Sequence, residues 1–155
     1  MRTISRRTQY ALKALLALGR RYGQGPVIVA TLAAEETVPL KFLEVILLDL
    51  KSRGILESKK GKGGGYQLIR PPAAITIGSI IRLMEGPLAP LPCAAESAFK
   101  PCEVCRDLEH CRIRTVMSQV GDAISQILDQ VTVGDLIAQT QPPVFQQTCA
   151  RCDPG

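Results

Sequence analysis

Residues 54–69 read GILESKKGKGGGYQLI. Two short runs, Ile55 to Lys60 and Tyr66 to Ile69, flank Gly61-Lys62-Gly63-Gly64-Gly65. A glycine-rich turn between two such runs predicts a β-hairpin. Lys59, Lys60 and Lys62, with Gly63 beside them, make a tip that is basic and nearly bare of other side chains. That shape suits entry into a minor groove or contact with a phosphate backbone. An ordinary solvated turn is the plainer alternative. A nucleotide phosphate loop is excluded, because the G-x-x-x-x-G-K-[ST] spacing is missing and a helix and strand precede the turn in the wrong order.

Upstream of the hairpin, three helices are expected. Ser5 caps the first, which runs to about Arg21 and places Ala11, Ala14, Leu15 and Leu18 on one face. The second fits Val29 to about Glu35. The third starts near Pro39 and runs to about Arg53, with Gly54 as its terminator. Its buried stripe is Leu43, Ile46, Leu47 and Leu50, and Leu40, Lys41 and Glu44 fall elsewhere on its surface. Three helices followed by a hairpin give a winged helix-turn-helix. The fold class is therefore mainly α with a small β-hairpin wing.

A recognition helix presents polar residues at its N-terminal end, which enters the major groove. Pro39, Leu40, Lys41 and Glu44 occupy that end. Lys donates to guanine acceptors and Glu accepts from cytosine N4. A surface salt bridge is the alternative for Glu44. Arg6 and Arg7, at the start of the first helix, are placed to clamp phosphates. Charge agrees: residues 1–70 carry a net +8 and residues 71–155 a net −3. A polyanion partner is expected for the front half only. Aromatic residues are only 4% of the chain and Trp is absent, so the core is aliphatic and stacking platforms for single strands are excluded.

Downstream, Thr76 to Met84 reads as a fourth helix. A Pro- and Ala-rich stretch from Gly86 to Pro101 leads into a loop, Cys102 to Cys111. From Cys111 to Val131, apolar residues Ile113, Val116, Met117, Val120, Ile124, Ile127, Leu128 and Val131 keep a helical period. About 20 residues make a rod of roughly 30 Å. Thr132 caps a last helix, Val133 to Gln139. The expected units are residues 1–72 for DNA binding, 73–140 for the cysteine loop and dimerisation helices, and 141–155 as a disordered tail.

No signal peptide or membrane-length apolar run is seen, so a cytoplasmic location is expected. In that compartment six cysteines point to metal or redox chemistry rather than structural disulfides. Cys93, Cys102, Cys105 and Cys111 have the spacing C-x8-C-x2-C-x5-C. Thiolates select zinc, copper(I) or iron–sulfur clusters, and the spacing alone does not choose among them. A dithiol switch is the second reading. Cys149 and Cys152 form another C-x2-C in the tail, without a defined site. His110 neighbours Cys111 and is a weak ligand candidate. No paired carboxylates, nucleophile–base set or cofactor fingerprint suggests an enzyme, and no small-molecule substrate is implied.

Together these residues resemble the Rrf2 family of bacterial transcription regulators. The carrying segments are Tyr10 to Leu15, Leu43-Glu44, Lys60 to Tyr66, the cysteine loop with its helix, and Thr132 to Leu136. The resemblance runs from Met1 to about Gln139. It implies a homodimer joined through the long helix on a palindromic operator in double-stranded DNA. It implies a [2Fe-2S] or [4Fe-4S] cluster held by three loop cysteines, of which Cys105 and Cys111 match the second and third. The first is Cys93 or Cys102. Glu44 matches the family's acidic base-reading residue. Two positions that supply a fourth ligand in some members hold Arg114 and Gln9 here. The extra cysteine then makes an all-thiolate site plausible. The implied regulator has its operator binding set by the cluster; a metal-free regulator switched by thiol oxidation or a protein partner is the alternative.

Overall fold

A computed structural model describes residues 4–95, 99–102, 105, 107 and 109–138. The helices are α1 (Arg6–Arg20), α2 (Val29–Glu35), α3 (Leu40–Ser52), α4 (Ile77–Glu85), α5 (Arg112–Gln130) and α6 (Val133–Ala138). The strands are β1 (Leu56–Lys59) and β2 (Gly65–Leu68), which pair antiparallel with Leu56 opposite Leu68 and Lys59 opposite Gly65. The expected fold class is the observed one. Expected end residues Pro39, Thr76 and Cys111 sit at N-cap positions rather than inside their helices. The expected last turn at Gln139 and the tail with Cys149 and Cys152 lie outside the described residues.

Local chemistry explains the helix starts. The Ser5 hydroxyl accepts from the Thr8 amide at 3.2 Å. The Thr76 hydroxyl accepts from the Ser79 amide at 3.2 Å. Thr132 and Asp135 form a reciprocal box: the Asp135 amide donates to the Thr132 hydroxyl, and the Asp135 carboxylate accepts from the Thr132 amide. The starts of α4 and α6 are also joined directly, since Ile77 N–H donates to Val131 O and Val133 N–H to Ile75 O, each at 2.8 Å.

One hydrophobic core runs through these elements. It takes Ala11, Leu15 and Leu18 from α1, Leu32 from α2, and Leu43, Ile46, Leu47 and Leu50 from α3. Leu56 and Leu68 join from the hairpin, Ile80 and Ile81 from α4, and Val133 from α6. α5 packs on α4 and on the 3-10 turn Pro92–Ala94. Its single buried residue among those described is Gly121, set against Ala89 and Pro90. No helix of the described residues is long and apolar enough to cross a membrane.

The wing has a feature the sequence did not announce. Val27 bridges Tyr66 with two backbone hydrogen bonds of 2.9 Å, adding a third short rung beside β2. This close approach needs Gly65, because a Cβ there would strike the Val27 carbonyl oxygen. Gly65→Ala is expected to lower the unfolding free energy by about 1–3 kcal/mol, as overpacking does. Urea denaturation reads the loss, and an unchanged midpoint would contradict the packing described.

Candidate DNA face and thiol loop

α3 and the wing place their polar residues outward. Pro39, Leu40, Lys41 and Glu44 are all exposed, as are Lys59, Lys60, Lys62 and Gly63. Pro39, at the N-cap of α3, makes no side-chain capping hydrogen bond. Arg6 is exposed at the start of α1. Arg7 lies beside it but is engaged, with Nη2 2.7 Å from Asp49 Oδ2. Asp49 also takes Arg53 Nε at 2.8 Å, and Arg53 Nη1 donates to the Leu83 carbonyl at 2.8 Å. One α3 carboxylate thus ties α1 to α3, and its arginine ties α3 to α4. The Asp49–Arg53 spacing of four residues was a readable signal for half of this arrangement.

The four loop thiols divide into a group and an outlier. Cys105 Sγ lies 3.4 Å from Cys111 Sγ and also hydrogen-bonds with Cys102. All three are half-buried, whereas Cys93 is buried on the 3-10 turn and accepts Arg114 Nε on its carbonyl oxygen at 2.9 Å. The Arg114 guanidinium also sits 5.9 Å from the centre of the Phe99 ring. Arg114 is therefore a strut behind the loop. His110 turns aside, with Nδ1 2.9 Å from Asp107 Oδ2. Gln9 directs Nε2 to the Ile4 carbonyl at 3.0 Å.

The thiols differ in acidity. Hydrogen bonds with Cys111 and then Cys102 push Cys105 up to about 12. Cys111 shifts down from the ordinary thiol range, first through the Arg114 amide, then Cys105, with the Ile113 amide adding to it. The start of α5 thus favours a thiolate at Cys111. Among the described residues, no three His, Cys, Asp or Glu side chains converge to hold a single metal ion.

Residues 4–139 match the Rrf2 family profile, described as an iron-dependent transcriptional regulator. The chain belongs to the Rrf2 family. An rrf2-like HTH-type transcriptional regulator of Rhodobacter capsulatus is 39% identical over 142 residues, covering 90% of this chain and 95% of that one. The solved structure of CymR, the global cysteine regulator of B. subtilis, matches with a TM-score of 0.73 and 30% identity. It covers 91% of this chain and all of that chain. T. potens IscR matches with a TM-score of 0.70 and 26% identity, over 90% of this chain and 89% of that one. The chain is an Rrf2-family transcriptional regulator with a winged-helix fold.

The thiol acidities make an expected outcome for this Rrf2 chain in its metal-free form. A thiolate forms at lower pH on Cys111 than on Cys105, so iodoacetamide at pH 7–8 modifies Cys111 before Cys105. Peptide mass spectrometry over a time course reads the order. Faster labelling of Cys105 would contradict the arrangement.

Proposed function

We propose that the chain binds a palindromic operator in double-stranded DNA as a homodimer, under the control of an iron–sulfur cluster on the cysteine loop. The observation that carries this reading is Cys105 lying between Cys102 and Cys111 at the start of α5. Soft thiols gathered at one place fit a cluster, whose ligands surround an inorganic core and need not converge on one ion. Cys102, Cys105 and Cys111 would hold it, and Cys93 is the remaining thiol of the four. Either [2Fe-2S] or [4Fe-4S] suits this donor set. When bound, such a group supplies a centre that oxidants alter.

The chain's own residues do the rest. Lys41 and Glu44 face base edges, and Lys59, Lys60, Lys62 and Arg6 face phosphates. Arg7 contributes from its ion pair with Asp49. Cys111 begins α5, so the loop is joined to the helix with no intervening linker. α5 leaves Ile113, Val116, Val120 and Ile127 exposed, at steps of three, four and seven. That is the seam of a two-helix coiled contact, and a second copy of α5 is its natural partner.

One observation favours a second reading, in which oxidation of thiols replaces the metal. The 3.4 Å between Cys105 and Cys111 leaves a short closure to a disulfide. A peroxide would take two electrons and two protons from the pair, becoming water as the S–S bond forms.

Anaerobic purification separates the two. The cluster reading expects coloured protein containing iron and sulfide, colour lost in Cys105→Ser and Cys111→Ser, and duplex binding that falls steeply with salt. Colourless protein with stoichiometric zinc would refute the cluster. Operator binding indifferent to chelation but abolished by peroxide would establish the dithiol reading. For the dimer, Val116→Glu is expected to give a monomer by sedimentation while retaining its helix content. A Val116→Glu dimer as tight as the parent would remove α5 as the joint.

A further inference from the structure

We propose that Val45, with Leu48 one turn behind it, contacts thymine methyl groups in the major groove, so that α3 selects its operator by apolar as well as polar contact. This rests on the DNA-binding reading above. Val45 is 60% exposed and Leu48 59% exposed, more than any other large apolar side chain among described residues 4–95. At about 100° per residue, Lys41, Val45 and Leu48 fall within about 60° of each other. They lie opposite the buried stripe of Leu43, Ile46, Leu47 and Leu50. Phe42, on the flank, is spent on an edge contact with Tyr10 at 5.8 Å. Val45 and Leu48 instead point the way Lys41 points.

A β-branched residue on an exposed helix face lowers helix propensity and leaves apolar surface in water. What would cover it has to suit the surroundings. Lys41 and Glu44 are exposed toward the N-terminal end of α3, and Lys51 and Ser52 toward its C-terminal end. A partner that is polyanionic yet carries isolated apolar spots matches this setting. The thymine C5-methyl is the apolar feature of the major groove. Two side chains ringed by charge are far short of the roughly 800 Å² per partner that a stable protein interface buries. A second copy of the chain has a longer apolar seam on α5.

The test begins with operators selected from random duplexes by the full-length protein. Each thymine is then replaced by deoxyuridine, which removes the methyl group and keeps the pairing. At one thymine per half-site, the replacement is expected to weaken binding about fourfold, the worth of one buried methyl. Val45→Ala, which favours the helix and so keeps the fold, should bind thymine and deoxyuridine duplexes equally at that position. Val45→Gln should move the preference there toward adenine. Operator binding with no deoxyuridine effect that depends on Val45 would overturn this inference and leave the DNA reading standing. A Val45→Ala protein that falls to monomers would assign the patch to the dimer and overturn it too. Failure to bind any duplex would remove both readings.

Discussion

The packing of α1 is the constraint on which the rest of the structure depends. α3, α4, α6 and β2 all rest on this one helix. Its inward side is largely small: Ala11, Ala14, Ala17 and Gly19 accompany Leu15 and Leu18. Small residues let neighbouring helices come close, where dispersion contacts accumulate. Gly19 shows how tight the fit is, since a Cβ there would meet Ile137 Cδ1 at 2.6 Å and Val133 Cγ1 at 3.3 Å. A chain without Trp builds its core from such aliphatic closeness rather than from large aromatic payloads.

Polar ties at the edge of this core set how the helices are turned. At the N-terminal end of α1, Ser5 and the buried Thr8 both donate hydroxyl hydrogen bonds to Glu85 at the end of α4. Arg82 on α4 forms a two-point ion pair with Asp129 on α5, at 2.6 and 2.8 Å. Exposed pairs add about 0–1 kcal/mol each, so hydrophobic contact holds the helices together. What the pairs add is orientation, because a bidentate arginine accepts a carboxylate in a narrow geometry. Arg53 and Asp49 extend the same ties to α3. α3, α4 and α5 are thus fixed to a common frame.

The long helix illustrates how one apolar pattern serves two purposes. Its sequence carries a single broad helical stripe. In the structure that stripe divides: Leu128 and Val131 pack on the core, while Ile113, Val116, Val120 and Ile127 stay exposed. Gly121 is what allows the division, since it lets α5 settle on Ala89 and Pro90 without a side chain between. The charge asymmetry follows the same partition, with the basic residues on the winged half and the acidic excess behind it.

By itself, the sequence determined the elements and their order. Period-3.6 stripes, Ser and Thr caps, Gly54 and the glycine-rich turn act over a few residues, and local physics reads them correctly. The same holds for the buried set on α3 and for the exposure of Lys41, Glu44 and the wing lysines. Tertiary structure alone decided which loop thiols meet. The family resemblance left Cys93 and Cys102 as alternatives for the first ligand, and only the chain's path puts Cys102 beside Cys105 and leaves Cys93 buried behind Arg114. It also decided that Arg7 answers to Asp49, that Thr8 and Ser5 answer to Glu85, and that Val27 lies along β2. These partners stand 39 to 80 residues apart, and no short-range periodicity carries information across such a separation. Only the packed core brings them together, and it does so through the summed volume of many side chains rather than through any one of them.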